Sequence, residues 1–235
     1  ANTVNNSTVA GTIYCQGSSG NNKACNTSRA DPVQQPYPIS DGMIEDWKTE
    51  AENGGVIAGN VSYGGNQVAS LGPKKIVGNL TVGAGAQLKV TGTLWVTGNI
   101  NLSGGAVIKL DSSLSGNSGI IVADGKIDVS GGGQFQGSGV SGSYILVLTT
   151  STCPSGAGCS SDPAVDLSGG TGSVIINAQK GTVEIGGGAT LKQVTANKII
   201  MSGGTSITYE TGLMDMNFVG GPSGSWTQAS WSEAE

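Results

Sequence analysis

The sequence predicts an all-β fold: a parallel β-helix (solenoid) with one N-terminal capping α-helix and an irregular aromatic C-terminal tail. Three observations support this prediction. The segment Gly-Ala-Gln-Leu-Lys-Val at 85–90 returns twenty residues later as Gly-Ala-Val-Ile-Lys-Leu at 105–110. Between the two copies, apolar residues alternate with small or polar ones, which is typical of strands with one buried face. Gly92, Gly98 and Gly104 recur at six-residue intervals, where a coil must turn.

Changes in composition divide the chain into four segments. We predict an N-terminal extension with a disulfide loop at 1–37, a capping helix at 38–55, the β-solenoid at 56–211 and a C-terminal tail at 212–235. The polar, extended character of residues 1–14 leaves open whether they fold on this subunit or lend a strand to a neighbour.

The helix is expected at about residues 40–53. Ser40 or Asp41 can cap its N-terminus, and Gly54-Gly55 can end it. One face carries apolar residues: Met43, Ile44, Trp47 and Ala51. Because the open end of a solenoid exposes core side chains, we expect this helix to cap the first coil, with a partner-binding helix as the alternative.

The coils are most regular from Ile76 to Val129. Tyr144–Leu148 is a continuous apolar run, which predicts a strand buried on both faces. Lys89, Lys109 and Lys192 occupy the same place in the repeat. If coils stack in register, Lys89 and Lys109 lie about 4.8 Å apart on adjacent strands and point outward.

Composition restricts the partners that the chain can have. It contains 41 glycines, yet 37% of its residues are hydrophobic, and only 11% are charged. The net charge is −5 and the basic residues form no cluster, so we predict no nucleic-acid partner and no anionic membrane surface. No apolar stretch is long enough to span a bilayer.

The four cysteines form two local pairs, Cys15 with Cys25 and Cys153 with Cys159. Each pair lies in a Gly/Ser/Asn-rich loop, from which a disulfide would remove chain entropy. Metal binding is the alternative, but zinc sites favour other spacings and often use histidine, which this chain lacks. We therefore predict two disulfides and an extracellular or cell-surface location.

Candidate catalytic groups are limited to carboxylates, because the absence of histidine excludes a Ser-His-Asp arrangement. The best placed are Asp111, Asp124 and Asp128. Asp128 is expected to point outward, and a turn formed by Asp124-Gly125 is the simpler explanation of a candidate pair. Asp162 and Asp166 flank the second cysteine loop and are expected to be solvated, with weak cation binding as the alternative. We therefore predict no enzyme activity, catalytic residue, metal or cofactor.

Aromatic residues are concentrated in the tail. Phe218, Trp226 and Trp231 fall within fourteen residues, and we expect them to pack along the side or over the end of the solenoid. A sugar-stacking platform or a subunit contact is the alternative, and Trp95 is a further candidate interaction residue.

Two resemblances add to this interpretation. Residues 76–82 and 92–100 resemble the repeat of bactofilins, which implies a polymerising β-helix. Most of the chain resembles a group of uncharacterised exported bacterial β-solenoid proteins of a pilin-associated type, through Asn-Asn-Lys-Ala-Cys at 21–25, Glu-Asp-Trp-Lys at 45–48 and the Gly-Pro…Trp-x-Glu ending at 221–233. That resemblance implies export and provides no catalytic residues.

The function expected from these observations is structural. We predict a secreted or surface β-solenoid subunit that contributes to a filament, pilus or cell-envelope layer by self-association. An extracellular carbohydrate-binding or adhesive module is the alternative, and a polysaccharide-active β-helix enzyme is the third hypothesis.

Overall fold

The computed structural model describes residues 11–14, 24–30, 37, 39–154, 162–170, 172 and 174–208. The chain forms two compact units, residues 1–38 and residues 39–235. In the first unit, strands β1 (Ile13–Tyr14) and β2 (Cys25–Asn26) pair in parallel. The guanidinium carbon of Arg29 lies 4.6 Å from the centroid of the Tyr14 ring.

The second unit contains helix α1 (Asp41–Asn53) followed by strands in successive coils. The first three coils comprise β3 (Val56–Ala58), β4 (Val61–Tyr63), β5 (Val68–Leu71), β6 (Lys74–Val77), β7 (Leu80–Val82), β8 (Gln87–Val90), β9 (Leu94–Val96), β10 (Ile100–Leu102) and β11 (Val107–Leu110). After a short 3-10 helix (Ser112–Leu114), the later coils comprise β12 (Gly119–Ala123), β13 (Ile127–Val129), β14 (Gln134–Gln136), β15 (Ile145–Thr149), β16 (Val165–Ser168), β17 (Val174–Gly186), β18 (Thr190–Leu191), β19 (Gln193–Met201) and β20 (Ser206–Ile207).

Strands of successive coils pair in parallel along three sides. The first side contains β3, β6, β9, β12, β15 and the start of β17, and the second contains β4, β7, β10, β13, β16 and the end of β17. The third side contains β5, β8, β11 and β14. The last described coil pairs β19 with β17 and β20 with β18. This topology confirms the predicted parallel β-helix.

Inward-pointing side chains fill the interior of the coils. Along the second side, Leu80, Ile100 and Ile127 occupy register positions on adjacent coils and are buried. On the third side Phe135 is fully buried against Ile108 of the preceding coil. Each apolar side chain therefore packs on its equivalent one coil away, and the alternation seen in the sequence is the inward and outward alternation of the strands.

Local signals in the sequence fix both ends of helix α1. The Ser40 side chain accepts a hydrogen bond from the Met43 backbone N–H at 3.2 Å, as an N-cap does. At the other end, the Gly54 N–H donates to the Glu50 carbonyl at 3.2 Å. The predicted start and end of the helix are confirmed.

The apolar face of the helix covers the outer surface of the first side. It contacts β6, β9 and β12. Buried Ile44 and Trp47 form a second core with outward-pointing side chains of the sheet, namely Ile120, Val122, Tyr144, Leu146, Leu148 and Ile175. The helix is consistent with the predicted N-terminal cap, and its contacts extend along the first side as far as β12. This position explains why Ile145–Thr149 is buried on both faces, as predicted.

Two ion pairs join the helix to the sheet at its two ends. Lys75 lies 2.9 Å from Glu52 near the C-terminus, and Lys180 lies 2.8 Å from Asp41 near the N-terminus. Lys75 belongs to the second coil and Lys180 to the sixth, so the helix runs along the stacking direction of the coils.

The turn from the first to the second side contains a ladder of asparagines. The side-chain Oδ1 of Asn60 accepts from the Asn79 N–H, that of Asn79 from the Asn99 N–H, and that of Asn99 from the Lys126 N–H, each at 2.8 Å. A glycine precedes each of these turn positions. At Gly98, an added Cβ would lie 2.7 Å from the Gly78 carbonyl oxygen, so glycine is needed for the close approach of the coils.

Candidate functional site

A row of acidic side chains lies on the outer surface of the second side. Asp128, Asp166 and Glu184 are register partners on three adjacent coils. Parallel strands lie about 4.8 Å apart, so the row brings three carboxylates close together. We call these three residues the acidic row.

A shallow cleft of about 300 Å³ adjoins one end of this row. Its polar lining includes Asn99, Asn101, Lys126, Asp128, Asp162 and Asp166. Asn101 is the register partner of Asp128 on the preceding coil. The cleft therefore presents carboxylates, amides and one ammonium group on a surface formed by adjacent coils.

The strands determine which of these groups point outward. Ile127 and Val129 are buried, so the intervening Asp128 is exposed, as predicted. Lys126 is held at its backbone by Asn99 of the asparagine ladder, and its Nζ forms an ion pair with Asp162 at 2.6 Å. The cleft thus combines a fixed strand surface with one ion pair at its rim.

Electrostatic interactions change the acidity of Asp166. Burial raises the pKa of the Asp166 carboxyl above its ordinary value of 3.8, and the negative charges of Asp128, Glu184 and Asp162 raise it further. The group therefore holds its proton more tightly than a solvated aspartate does. Chemically, the cleft can donate hydrogen bonds to hydroxyl groups and accept hydrogen bonds from them.

The other candidate carboxylates have structural roles. Asp124 accepts a hydrogen bond from Trp95 Nε1 at 2.8 Å and from Thr150 Oγ1 at 3.0 Å, and it pairs with Lys48 of the helix at 2.9 Å. It therefore ties helix α1 to the third and fourth coils. The structure places it apart from Asp128, whose side chain lines the cleft.

Asp111 caps the short 3-10 helix at residues 112–114. Its side chain accepts a hydrogen bond from the Ser113 backbone N–H at 3.0 Å. This hydrogen bond lowers the pKa of the Asp111 carboxyl. Asp111 therefore stabilises the start of this helix, a role that the sequence analysis did not assign to it.

Trp95 belongs to the contact between the helix and the sheet. It is half-buried, and the Lys75 Nζ lies 3.9 Å from its ring centroid, within the range of a cation–π contact. The other aromatic candidates, Phe218, Trp226 and Trp231, lie outside the described residues.

Only one cysteine of each predicted disulfide lies among the described residues. Neither Cys25 nor Cys153 is a free thiol. Their expected partners, Cys15 and Cys159, lie outside the described residues, so the pairing stays a prediction. Among the described residues, no group of three or more His, Cys, Asp or Glu side chains is arranged to hold a metal ion.

Sequence reasoning identified Asp128 and Asp166 separately but missed Glu184 and the register that joins them. The available signal was their shared context, an acidic residue between two apolar ones in Ile127–Val129, Val165–Leu167 and Val183–Ile185. The asparagine ladder was missed as well, although Gly-Asn recurs at 59–60, 78–79 and 98–99.

Comparison with protein-family models, curated proteins and solved structures gave no match to this chain. In the described part of the chain, no helix has the length and apolar character needed to cross a membrane. The class of protein that the structure shows is a parallel β-helix with an α-helix on its first side.

Proposed function

We propose that this chain is a secreted or cell-surface structural β-solenoid subunit, which contributes to a filament, pilus or envelope layer by self-association. One observation carries the proposal. In the described part of the chain, the strands of the first coil, β3, β4 and β5, each pair with one neighbour only. Their free edges are templates for pairing with another chain.

The side chains of the first coil support the same surface. Val56 is 54% exposed and Val68 is 65% exposed, although both are large apolar residues on edge strands. Charged residues usually protect such an edge when a protein stays monomeric. The exposed valines favour an edge that another protein surface covers.

An oxidising compartment fits the cysteines. The pairs Cys15–Cys25 and Cys153–Cys159 would close short loops, and disulfides persist mainly outside the cytosol. That neither Cys25 nor Cys153 is a free thiol supports this part of the proposal.

The test is the oligomeric state of the non-reduced full chain, measured by light scattering and electron microscopy over a range of concentrations. We expect oligomers or filaments that grow with concentration. The double variant Val56→Lys/Val68→Lys should shift the population towards monomer, because lysine protects edge strands. Val140→Lys is the matched control, since Val140 is 48% exposed in the loop after the fourth coil. A monomer at every concentration would overturn the proposal.

The cleft beside the acidic row favours a second candidate function, the binding of an extracellular carbohydrate. Carboxylates and amides such as Asp128 and Asn101 are groups that fix the orientation of a polar ligand in a cleft. A broad glycan array with the full chain tests this candidate. Binding that Asp128→Asn weakens would support it, and absence of binding would remove it.

The raised pKa of Asp166 is the observation that favours the third hypothesis, action on a polysaccharide. Glycoside hydrolysis uses a pair of carboxyls of which one is protonated, and Asp166 lies beside Asp128 on the adjacent coil. An array-positive glycan should then be cleaved by the wild type and left intact by Asp166→Asn. Binding without cleavage would leave the chain as a non-catalytic module.

A further inference from the structure

We propose that the second side of one subunit packs against the third side of a second copy of this chain, with Lys89 and Lys109 of one copy facing the acidic row of the other. The proposal rests on the self-association proposed above and deepens it, because it names a contact between copies that is separate from the free edges of the first coil. It is argued from the charges, the register and the polar neighbours of these two sides.

The two sides carry charges of opposite sign. The second side presents the three carboxylates of the acidic row. In the four strands of the third side, β5, β8, β11 and β14, the only charged residues are Lys89 and Lys109. Asp111 follows β11 and lies within electrostatic range of both lysines, so it reduces the positive charge of this side without cancelling it. A negative and a positive surface on the same molecule are complementary between two copies.

Each side also holds like charges together within the subunit. Lys89 and Lys109 are register partners on adjacent strands, as are Asp128 and Asp166. Like charges in this arrangement are unfavourable. Among the described residues, neither lysine and none of the three carboxylates of the acidic row forms an ion pair. A partner that brings opposite charges to both rows relieves both repulsions at once.

The spacing of the two rows of charges is the same. Both rows run along the stacking direction of the coils, and in both the step from one charge to the next is the distance between paired strands, about 4.8 Å. Two lysines on adjacent coils can therefore face two carboxylates on adjacent coils when the copies lie side by side.

The polar side chains beside the charges fit the same alignment. Ser70 and Gln136 are the register neighbours of the two lysines on the third side. Asn101 and Glu184 are the register neighbours of the first two carboxylates of the acidic row. When the lysines face those carboxylates, the two pairs of neighbours are aligned with each other, whichever way the axes of the two copies run. All four side chains can form hydrogen bonds.

The proposed contact is heterologous, because it joins two different sides. A pair of copies therefore keeps one unused second side and one unused third side, on which further copies can be added. Contacts of this kind produce closed rings or open assemblies, depending on the rotation between neighbours. Lateral arrays of β-helices are thus the assemblies that this contact favours.

The experiment compares two charge-reversal variants of the non-reduced full chain, alone and mixed, by sedimentation and light scattering. Lys89→Glu/Lys109→Glu gives the third side the charge of the second, and Asp128→Lys/Asp166→Lys gives the acidic row a net positive charge. Each variant alone should associate at least about tenfold more weakly than the wild type, because attraction becomes repulsion. An equimolar mixture should regain association, since each variant supplies the charge that the other lacks.

The ionic strength should be about 0.1 M, where charges more than about 10 Å apart are largely screened. Under this condition the net charge of −5 on each copy opposes association little, whereas charges in direct contact still attract.

Zero-length cross-linking of amines to carboxylates is a second measurement that needs no variant. In a mixture of isotope-labelled and unlabelled wild type, links between a labelled and an unlabelled copy should join Lys89 or Lys109 to the acidic row. The ion pair of Lys48 with Asp124, which are 2.9 Å apart within one subunit, is the control. Its links should stay within one copy.

Two outcomes would overturn the proposal: both charge variants associate as strongly as the wild type, or their mixture associates no better than either variant alone. If a variant does not fold, the absence of links between copies at the acidic row would overturn it instead. Failure of the joining proposed at the first coil looks different. In that case Val56→Lys/Val68→Lys would associate like the wild type, whereas the charge variants would still associate more weakly.

Discussion

The two hydrophobic cores of the second unit should unfold independently of each other, and the variant Trp47→Ala tests this prediction. Trp47 is buried between helix α1 and the outward-pointing side chains of the first side. Replacing a buried tryptophan by alanine costs about 3–5 kcal/mol. A helix of 13 residues is marginal on its own, so the loss should release the helix while the coils, which have their own core, stay folded.

Phe135→Ala is the matched comparison, because Phe135 is fully buried in the other core, inside the coils. Its expected cost is of the same order, about 3–5 kcal/mol. Hydrogen exchange at low protein concentration distinguishes the two variants. Trp47→Ala should expose the amides of Asp41–Asn53 first, whereas Phe135→Ala should expose amides of β11 and β14 and leave the helix closer to wild type.

The result that would refute this reasoning is a common pattern. If both variants lose protection in the helix and the coils together, the two cores form one cooperative unit. If Trp47→Ala changes neither protection nor the urea midpoint, the outer surface of the first side does not need the helix.

Three further predictions concern turns and charges. Gly98→Ala should lower the free energy of unfolding by about 1–3 kcal/mol in urea titration, because the new Cβ would meet the Gly78 carbonyl; Gly42→Ala, where the nearest atom is Ser40 Oγ at 3.8 Å, should not. Asp166→Asn should raise the urea midpoint at pH 7 and lose that effect below pH 3.8, because the raised pKa makes the ionised carboxyl unfavourable to folding. Burial lowers the pKa of Lys48, but Asp124 and Glu45 together raise it above 10.5. The free energy of unfolding should therefore decrease as pH rises through that raised pKa. Lys48→Met should remove the contribution of Lys48 to this decrease, measured by urea titration.

The repeat itself could be predicted from the sequence because each coil position has a local cause. Leu88 and Ile108 are apolar because they point inward, and their register, like that of Lys89 and Lys109, follows from equal spacing in the regular coils. The two ends of the helix could also be predicted from local sequence, because Ser40 and Gly54 form hydrogen bonds with backbone groups within one turn. Features of this kind depend on neighbours in sequence or on one constant period.

The acidic row could not be predicted in this way, because the coils that form it differ in length. Asp128 and Asp166 are 38 residues apart, and Asp166 and Glu184 only 18. Loops inserted between β14 and β15 and between β15 and β16 account for the difference. Without a constant period, the sequence alone cannot align these positions.

The position of the helix depends on tertiary contacts with the coils. The continuous run at Tyr144–Leu148 indicated a strand that is apolar on both faces, and the apolar face of the helix needed a surface to cover. From the sequence, the expected surface was the open end of the first coil, with a binding partner as the alternative. The side of the coils provides more apolar residues, including Val122, Leu146 and Leu148. The free energy gained by burial is roughly proportional to the apolar area removed from water.

The three sides of the β-helix differ in what they leave for association. Helix α1 covers the apolar part of the first side. The second side carries the negative row of Asp128, Asp166 and Glu184, and the third carries Lys89 beside Lys109. Two copies that met second side to second side, or third side to third side, would place like charges together, which costs free energy. Among the described residues, the two most exposed large apolar side chains, Val68 and Val56, instead lie on the first coil. The first coil is therefore the surface on which we expect end-to-end joining between copies to depend.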